Sequence, residues 1–230
     1  MNPFAAPKDY SEMLNKIVFF TIIIALGFTV LVAKSSQPIY TFLNQFSIKI
    51  SFSGIESIPI AYAIVAALVA LIARIIRLHD KISDLFKIRE VFDIQEILVP
   101  LAGEVGKPIT LALIGKIKFD RDKIMSDVFY KYASSTKPVI DPHSIIMALD
   151  KWSWFWILIE GLVVALLALI TLLIVSAYKA AAWTATGMFV GIILATFINR
   201  VCAVAAHHEV REITTDPARY NEIKRVFDAL

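Results

Sequence analysis

Glu160 and Arg200 are the two residues whose types and positions most clearly predict chemistry in this chain. Both are charged side chains inside long apolar stretches, where an unpaired charge in lipid costs roughly 2.5 kcal/mol or more. Glu160 lies eighteen residues before Tyr178 and Arg200 lies eighteen residues after Ala182, so antiparallel helices joined near residue 180 would hold both at one depth. The pair predicts an ion pair that clamps two helices, side chains that reach the membrane interface, or a ring of charge along a hydrated path.

The stretch that carries Arg200 also has small residues at four-residue spacing, namely Gly187, Gly191 and Ala195. Such a row lets two helices approach closely, either within one subunit or between subunits around a pore. Thr196 and Asn199 lie beside this row, and Arg74 follows a comparable row of alanines in the second stretch. We expect these polar residues, with Glu160 and Arg200, to be the candidates for a pore or a charge pair.

Four cations, Lys116, Lys118, Arg121 and Lys123, lie close together in the sequence and are candidates to bind phosphate groups of a lipid or a nucleotide. Acidic residues interrupt them, so a solvated charged surface is the alternative. The sequence His207-His208-Glu209 does not predict a metal site, because adjacent residues of a helix point to different faces and no second ligand set has metal-site spacing.

The chain lacks a Walker loop, a dinucleotide fingerprint, a nucleophile elbow and an HExxH motif. We therefore expect neither enzymatic activity nor a cofactor. Cys202 is the single cysteine. It excludes an intrachain disulfide framework, and its apolar surroundings predict a packing role.

The elements that must position these residues are four long apolar stretches, at residues 17–33, 58–78, 152–178 and 182–206. At about 1.5 Å rise per residue each reaches across a hydrocarbon layer of roughly 30 Å. The hydrophobic fraction of 58% exceeds what the core of a soluble domain needs. We predict an all-α membrane protein with four transmembrane helices arranged as two hairpins.

The basic residues predict the orientation. All but three of the 23 lysines and arginines lie before residue 17, between Arg74 and Lys151, or from Arg200 onward; the exceptions are Lys34, Lys49 and Lys179. Both termini and the middle segment should therefore face the cytoplasm. The first stretch ends without a small-residue cleavage site, so we do not expect a cleaved signal peptide.

This layout predicts four regions. Residues 1–78 form an N-terminal arm and the first hairpin, whose external loop covers residues 34–57. Residues 79–151 form a cytoplasmic insert, residues 152–206 the second hairpin, and residues 207–230 an amphipathic tail helix. In the loop, residues 46–53 alternate apolar and polar without a miss, which is typical of a strand. It would pair with residues 39–43 in a hairpin or with a neighbouring subunit.

The insert is expected to be mostly helical. An apolar stripe of Ile82, Leu85, Phe86, Val91 and Phe92 would extend the second membrane helix, and residues 109–119 would form a strand pair bent at Gly115 or a buried edge. Two further helices would begin at Asp120, with Ile124, Val128 and Tyr132 inward, and at Asp141-Pro142. Asp216-Pro217 would open the tail helix, with Tyr220, Ile223, Phe227 and Leu230 at helical spacing.

Several subunits could surround a pore that one chain of four thin helices does not enclose. The leading hypothesis is therefore a homo-oligomeric channel or channel-like effector, tetrameric as a first guess, gated through the insert by a ligand or partner. A non-conducting membrane scaffold that recruits a cytoplasmic partner is the alternative. A small transporter is less favoured, because transporters use broken helices at mid-membrane and residues 61–71 and 162–173 contain no proline.

Two hairpins, a mixed cytoplasmic insert and the Gly187-xxx-Gly191 helix resemble the small four-pass membrane effectors of bacterial anti-phage systems. The Hailong channel-like component and the Kiwa membrane component are such proteins. The resemblance concerns architecture across the whole chain. It implies an oligomeric membrane protein whose opening damages the infected cell's membrane, controlled by a partner protein, a nucleotide or an oligonucleotide. It carries no residue roles.

Overall fold

A computed structural model describes residues 2–46 and 60–230 of the chain, and every regular element in these residues is helical. In chain order the helices are α1 (Tyr10–Ser35), α2 (Gln37–Gln45), α3 (Ile60–Ile75), α4 (Leu78–Phe86), α5 (Ile88–Phe92), α6 (Val99–Glu104), α7 (Leu111–Phe119), α8 (Arg121–Met125), α9 (Pro142–Ile174), α10 (Tyr178–Thr215) and α11 (Pro217–Asp228). Two π-helical segments, Asp93–Leu98 and Ser126–Tyr130, continue α5 and α8.

Three of these helices, α1, α9 and α10, are long and apolar enough to cross a membrane. This confirms an integral membrane protein with transmembrane helices. The second apolar stretch is broken: α3 has 16 residues, or about 24 Å of rise against a core of roughly 30 Å. Arg77 then takes a left-handed conformation with φ 52°, and α4 follows with its axis bent by 55°. A single straight helix over residues 58–78 was therefore the wrong prediction.

The chain divides into two compact units. The insert unit comprises Met1–Met13, Asp80–Trp152 and Ile198–Leu230, and the membrane unit comprises Leu14–His79 and Ser153–Phe197. In the membrane unit, small side chains let α1, α3 and α9 pack closely. Ala25, Ala66 and Val164 form one buried cluster, and Ala33 and Ala61 belong to a second.

The insert unit is built from short capped helices and the tail. Asp216 accepts hydrogen bonds from the backbone N–H groups of Ala218 and Arg219, 2.9 Å each, and so begins α11 as predicted. Ile223 and Phe227 on α11 are fully buried. Asp141 likewise precedes α9, which starts at Pro142 and continues without a break into a membrane helix. These helix starts are confirmed.

Asp120 precedes α8, and the three residues predicted to face inward, Ile124, Val128 and Tyr132, are buried. The Asp120 side chain makes no capping hydrogen bond. The position of this helix start was therefore right, while the expected cap was not formed.

Two predicted extended segments are helical. Residues 39–43 lie in α2. Pro38 lies in the first turn of this helix, where a residue without a backbone N–H group loses no helical hydrogen bond. Residues 109–119 contain α7: the Thr110 hydroxyl accepts a hydrogen bond from the N–H of Leu113 at 3.2 Å. Leu113 and Ile117, four residues apart, form its buried face. The predicted strand at residues 46–53 lies, apart from Phe46, outside the described residues.

The expected apolar stripe that extends the second membrane helix is wrong at its centre. Leu85 and Phe86 are 75% and 68% exposed, and Val91 is 45% exposed, whereas Phe92 is buried. The break at Arg77 and a second left-handed residue, Lys87 with φ 53°, isolate α4 from its neighbours in the helical register. Spacing counted across these breaks does not describe one helix face.

Candidate functional site

Glu160 is the centre of a buried polar cluster in the membrane unit. It lies on α9 and is 3% exposed. The Thr21 hydroxyl, fully buried on α1, donates a hydrogen bond to Glu160 Oε2 at 3.0 Å. His79 Nδ1 on α4 lies 3.6 Å from Glu160 Oε1. Three helices thus place a carboxyl, a hydroxyl and an imidazole together, and we call these three residues the Glu160 cluster.

Aromatic rings and one more charged residue lie in the same unit. The Trp156 ring packs edge-on against His79, with 6.1 Å between ring centroids. Lys16, fully buried on α1, holds its Nζ 4.6 Å from the centre of the Trp154 ring, a cation–π distance. Charged side chains inside apolar helices need partners. Because side chains of α1, α4 and α9 meet at Glu160, the polar residues of the membrane unit are the first candidates for function.

The chemistry available to the Glu160 cluster is the exchange of a proton or the transient binding of a cation. The imidazole lies 3.6 Å from the carboxyl, within ion-pair distance but beyond a hydrogen bond, and carboxyl and hydroxyl oxygens are ligands for small cations. Because His79 lies on α4, the position of this helix decides whether the imidazole lies beside Glu160.

Sequence reasoning found Glu160 but missed Thr21 and His79. Glu160 and Thr21 are 139 residues apart in the chain, and no periodic pattern links them. One signal was present: Thr21 interrupts the first apolar stretch, and a hydroxyl in a transmembrane helix commonly bonds across helices.

The other predicted pore residues are in different surroundings. Arg200 is exposed, and Thr196 is exposed with its hydroxyl bonded to the Ile192 carbonyl of its own helix at 3.0 Å. Asn199 is half-buried, and its Oδ1 is buried without a hydrogen-bond partner among the described residues. Arg74 is exposed on α3. Arg200 belongs to the insert unit and Glu160 to the membrane unit, and the pairing of the two stays a prediction.

The small residues in the row on α10 differ in their burial. Gly191 and Ala195 are buried, and a Cβ atom built on Gly191 would lie 2.9 Å from Leu162 Cδ2 on α9. Gly187 is exposed, and a Cβ atom there would meet nothing within 4 Å. Gly191 therefore serves packing inside the chain, whereas Gly187 is available for a contact with another molecule.

The basic residues of the insert unit are largely engaged by neighbours. Lys116 donates a hydrogen bond to the Leu230 carbonyl oxygen. Lys118 Nζ lies 3.6 Å from Glu90, and Arg121 Nη1 lies 3.7 Å from Asp93. Lys123 is exposed. Lys118, Arg121 and Lys123 line one open pocket of about 440 Å³ together with acidic residues, and phosphate binding by the four cations stays a prediction.

A polar pocket of about 350 Å³ lies in the same unit, and Arg89, Asp93, Arg121 and Tyr130 line it with Lys87 and five other residues. Asp93 Oδ2 is 4.0 Å from Arg89 Nε and 3.7 Å from Arg121 Nη1. Burial raises the pKa of the Asp93 carboxyl to about 6 in spite of these two guanidinium groups. Asp93 begins one π-helical segment and Tyr130 ends the other. π-Helical turns are frequent at functional sites.

The two adjacent histidines lie beside different carboxylates. His207 Nε2 lies 3.0 Å from Glu96 Oε2, and His208 Nδ1 lies 3.9 Å from Glu212 Oε2. Within the described residues no group of three or more histidine, cysteine or acidic side chains has a geometry that could hold a metal ion.

Comparison with known proteins shows the family of this chain. A protein of Escherichia coli strain K12, named "Uncharacterized protein YmfE", is 28% identical over 179 residues, covering 73% of this chain and 70% of its own length. No solved structure matches the chain. The model of the YmfE protein family matches residues 9–228, from the start of α1 to the end of α11. The chain therefore belongs to the YmfE protein family.

Proposed function

We propose that this protein is a homo-oligomeric membrane channel, or a channel-like effector, whose opening is controlled through the insert unit. The observation that carries the proposal is the Glu160 cluster: an ionisable side chain on the apolar helix α9, 3% exposed, beside Thr21 of the apolar helix α1 and His79 of α4. Ionisable groups inside membrane helices are costly and are commonly found on ion or proton pathways. A scaffold that only recruits a partner has no need of such a cluster.

The chain itself supports a link between the insert and the cluster. His79 lies on α4, and the same helix continues into the insert unit from Asp80. A ligand or partner that moves the insert would move α4 and with it the imidazole beside Glu160. In this proposal the described structure is the closed state, because Glu160 is inaccessible in it.

The surface of α10 supports an oligomer. In its most apolar 18-residue stretch only 22% is buried within the chain, against 39% for α9. Trp183, Phe189 and Phe197 are each at least 64% exposed on this helix. Exposed aromatic side chains beside Gly187 suit contacts with lipid and with another copy. A tetramer remains the first guess.

Four membrane crossings and cytoplasmic termini belong to the same proposal. The insert unit combines residues 1–13, 80–152 and 198–230 in one compact body, so these segments should share one side of the membrane. The chain between them must then cross the membrane an even number of times, with α3 completing the first hairpin. The distribution of basic residues favours the cytoplasmic side of a bacterial inner membrane.

Conductance of the purified protein in planar bilayers tests the channel. We expect Glu160→Gln to abolish conductance or change its ion selectivity, while Glu104→Gln, a matched change at an exposed insert residue, should leave both as in the wild type. A stable monomer in nanodiscs, or Glu160→Gln currents identical to those of the wild type, would refute the proposal.

A role as an effector in anti-phage defence extends the proposal and is supported by the resemblance in layout alone. Phage plating on bacteria that express the chain tests this extension. We expect fewer plaques with the wild type than with Glu160→Gln. Equal plaque counts for the wild type, the variant and an empty vector would remove the defence role and leave the channel proposal intact.

A non-conducting scaffold is the second candidate, and one observation favours it. Leu111 and Phe119, at the two ends of α7 in the insert unit, are each 89% exposed, which is typical of a surface that another protein covers. If the scaffold is correct, Leu111→Ser together with Phe119→Ser should release a stoichiometric soluble partner. The wild type should then conduct no ions under any condition.

A further inference from the structure

We propose that α4 is a membrane-surface helix, with Leu85 and Phe86 inserted among the headgroups of an anionic bilayer and Lys81 and Lys87 beside them. This inference is independent of the channel proposal. The described side chains of Leu85 and Phe86 are 75% and 68% exposed. Both lysines are exposed as well.

The charge of α4 argues against its lying in hydrocarbon. Asp80, Lys81 and Asp84 are three of its nine residues, and each charged side chain at the bilayer centre costs roughly 2.5–3.5 kcal/mol on insertion scales. The 55° bend after α3 separates this polar helix from the apolar one before it. The second apolar stretch therefore consists of a short apolar helix, α3, followed by the more polar helix α4.

The two-sided character of α4 argues against its lying free in water. Its other side is occupied by the protein: His79 and Ser83 are buried, and the Ser83 hydroxyl accepts a hydrogen bond from the Arg89 N–H at 3.3 Å. What remains exposed near the C-terminal end is the apolar pair Leu85 and Phe86, with Asp84 directly before it and Lys87 directly after it, and with Lys81 one turn earlier. Apolar insertion combined with basic residues is the signature of interfacial helices on anionic lipid.

The position of α4 in the chain decides which partner covers this surface. Only Ile76 and Arg77 separate α4 from α3, so the helix starts within a few ångströms of the end of an apolar helix. A bilayer surface is therefore always within reach, whereas another protein must be recruited. Lys81 and Lys87 can reach lipid phosphates beside Leu85 and Phe86, while Asp80 and Asp84 leave residues 80–87 without net charge.

Depth-dependent fluorescence quenching tests the inference on the full-length protein in nanodiscs. In a Cys202→Ala background, an environment-sensitive dye is attached at Phe86→Cys or, as the matched control, at Asn221→Cys, an exposed position on α11. The discs contain phosphatidylcholine with or without phosphatidylglycerol. We expect the emission of the dye at 86 to be blue-shifted. Headgroup nitroxides should quench this dye several-fold more than the dye at 221, and aqueous iodide should quench it less.

Charge and competing occupants are tested in the same system. Lys81→Gln with Lys87→Gln should remove the extra quenching that phosphatidylglycerol produces at 86. Iodide quenching equal to that at 221 overturns the inference. Stronger quenching by nitroxides deep in the acyl chains also overturns it, since α4 would then be part of a span. Protection of the dye only in discs that hold two chains would assign the surface to a second copy and overturn it as well.

Discussion

Among single residues, Thr21 is the one whose contact gives the simplest test of the Glu160 cluster. Its hydroxyl is fully buried and donates to Glu160 Oε2. Thr21→Val keeps the volume but removes the donor, so a buried carboxyl loses one of its hydrogen bonds. We expect the free energy of unfolding in detergent to fall by about 1–3 kcal/mol.

A second threonine provides the control for this substitution. Thr186 is exposed on α10 and donates to the Ala182 carbonyl of its own helix at 3.0 Å, so Thr186→Val should change the unfolding free energy by less than about 0.5 kcal/mol. Equal losses in the two variants would show that the Thr21 hydroxyl does not support Glu160.

Asp93 in the insert unit predicts a pH dependence of stability. Burial raises the pKa of its carboxyl to about 6, from an ordinary value of 3.8. Between these values the folded protein binds more protons than the unfolded chain, so stability falls as pH rises from about 4 to 6. A shift of about two units corresponds to roughly 2–3 kcal/mol.

Asp93→Asn removes this titration. Relative to the wild type, the variant should therefore gain stability between pH 4 and pH 7, by up to roughly 2–3 kcal/mol. The measurement is the difference in unfolding free energy between variant and wild type across that pH range. A difference that stays constant with pH would contradict the raised pKa.

The sequence identified a candidate residue where the residue type at one position was unusual. It did not identify contacts between residues on different helices. Glu160 was found because a carboxylate stands out in an apolar stretch. Its partners Thr21 and His79 lie on other helices, and the pairing depends on how α1, α4 and α9 pack. Lys116, Lys118 and Arg121 looked like a cluster because the sequence does not show that each meets a different neighbour.

Among the elements, the contact between α9 and α10 allows a matched pair of substitutions. Gly191→Leu should force α10 away from Leu162, since even a Cβ atom would lie 2.9 Å from Leu162 Cδ2. We expect a loss of about 1–3 kcal/mol in unfolding free energy. Gly187→Leu meets open space and should leave the stability of the chain unchanged.

The same pair separates packing from assembly. If Gly187 lies at a contact between copies, Gly187→Leu should lower the oligomer mass in nanodiscs without lowering the stability of the single chain. Oligomers of unchanged mass in Gly187→Leu would exclude Gly187 from the subunit interface. Equal destabilisation by both leucines would contradict the described packing of α10.

The tail helix α11 is predicted to be held by its apolar face. Phe227 is fully buried, and Phe227→Ala should cost about 3–5 kcal/mol of docking free energy. Hydrogen exchange should then accelerate throughout residues 217–228. Arg225→Ala, on an exposed part of the same helix, should leave the exchange rates nearly as they are. Unchanged protection in Phe227→Ala would show that other contacts hold the tail.

Elements were predictable where local chemistry decided them. The Asp-Pro pairs at residues 141–142 and 216–217 do begin helices, since cap and proline act within one turn. The strand pair or buried edge expected at residues 109–119 is not formed, because the Thr110 cap and the four-residue spacing of Leu113 and Ile117 favour a helix. The break at Arg77 could not be read from hydropathy, because a left-handed residue carries no hydrophobic signal.

For the whole molecule, three separate pieces of the sequence form the insert unit, and two form the membrane unit. The chain passes from one unit to the other within the long helices α1, α9 and α10, at residues 13–14, 152–153 and 197–198, and within the nine-residue helix α4, at residues 79–80. The unit that contains the N-terminal residues also contains α11. This arrangement constrains the topology more strongly than the charge distribution does.

The number of crossings can be measured with single cysteines in a Cys202→Ala background. Lys8→Cys, Lys49→Cys, Asp120→Cys and Lys179→Cys are treated with a membrane-impermeant maleimide on intact cells. With four crossings and cytoplasmic termini, positions 49 and 179 are labelled, while 8 and 120 react only after permeabilisation. If the apolar helix α3 does not cross, the side of every later segment is reversed: 120 is labelled on intact cells and 179 is not. Residues 8 and 120 would then lie on opposite sides of the membrane, and this outcome would contradict their placement in one compact unit.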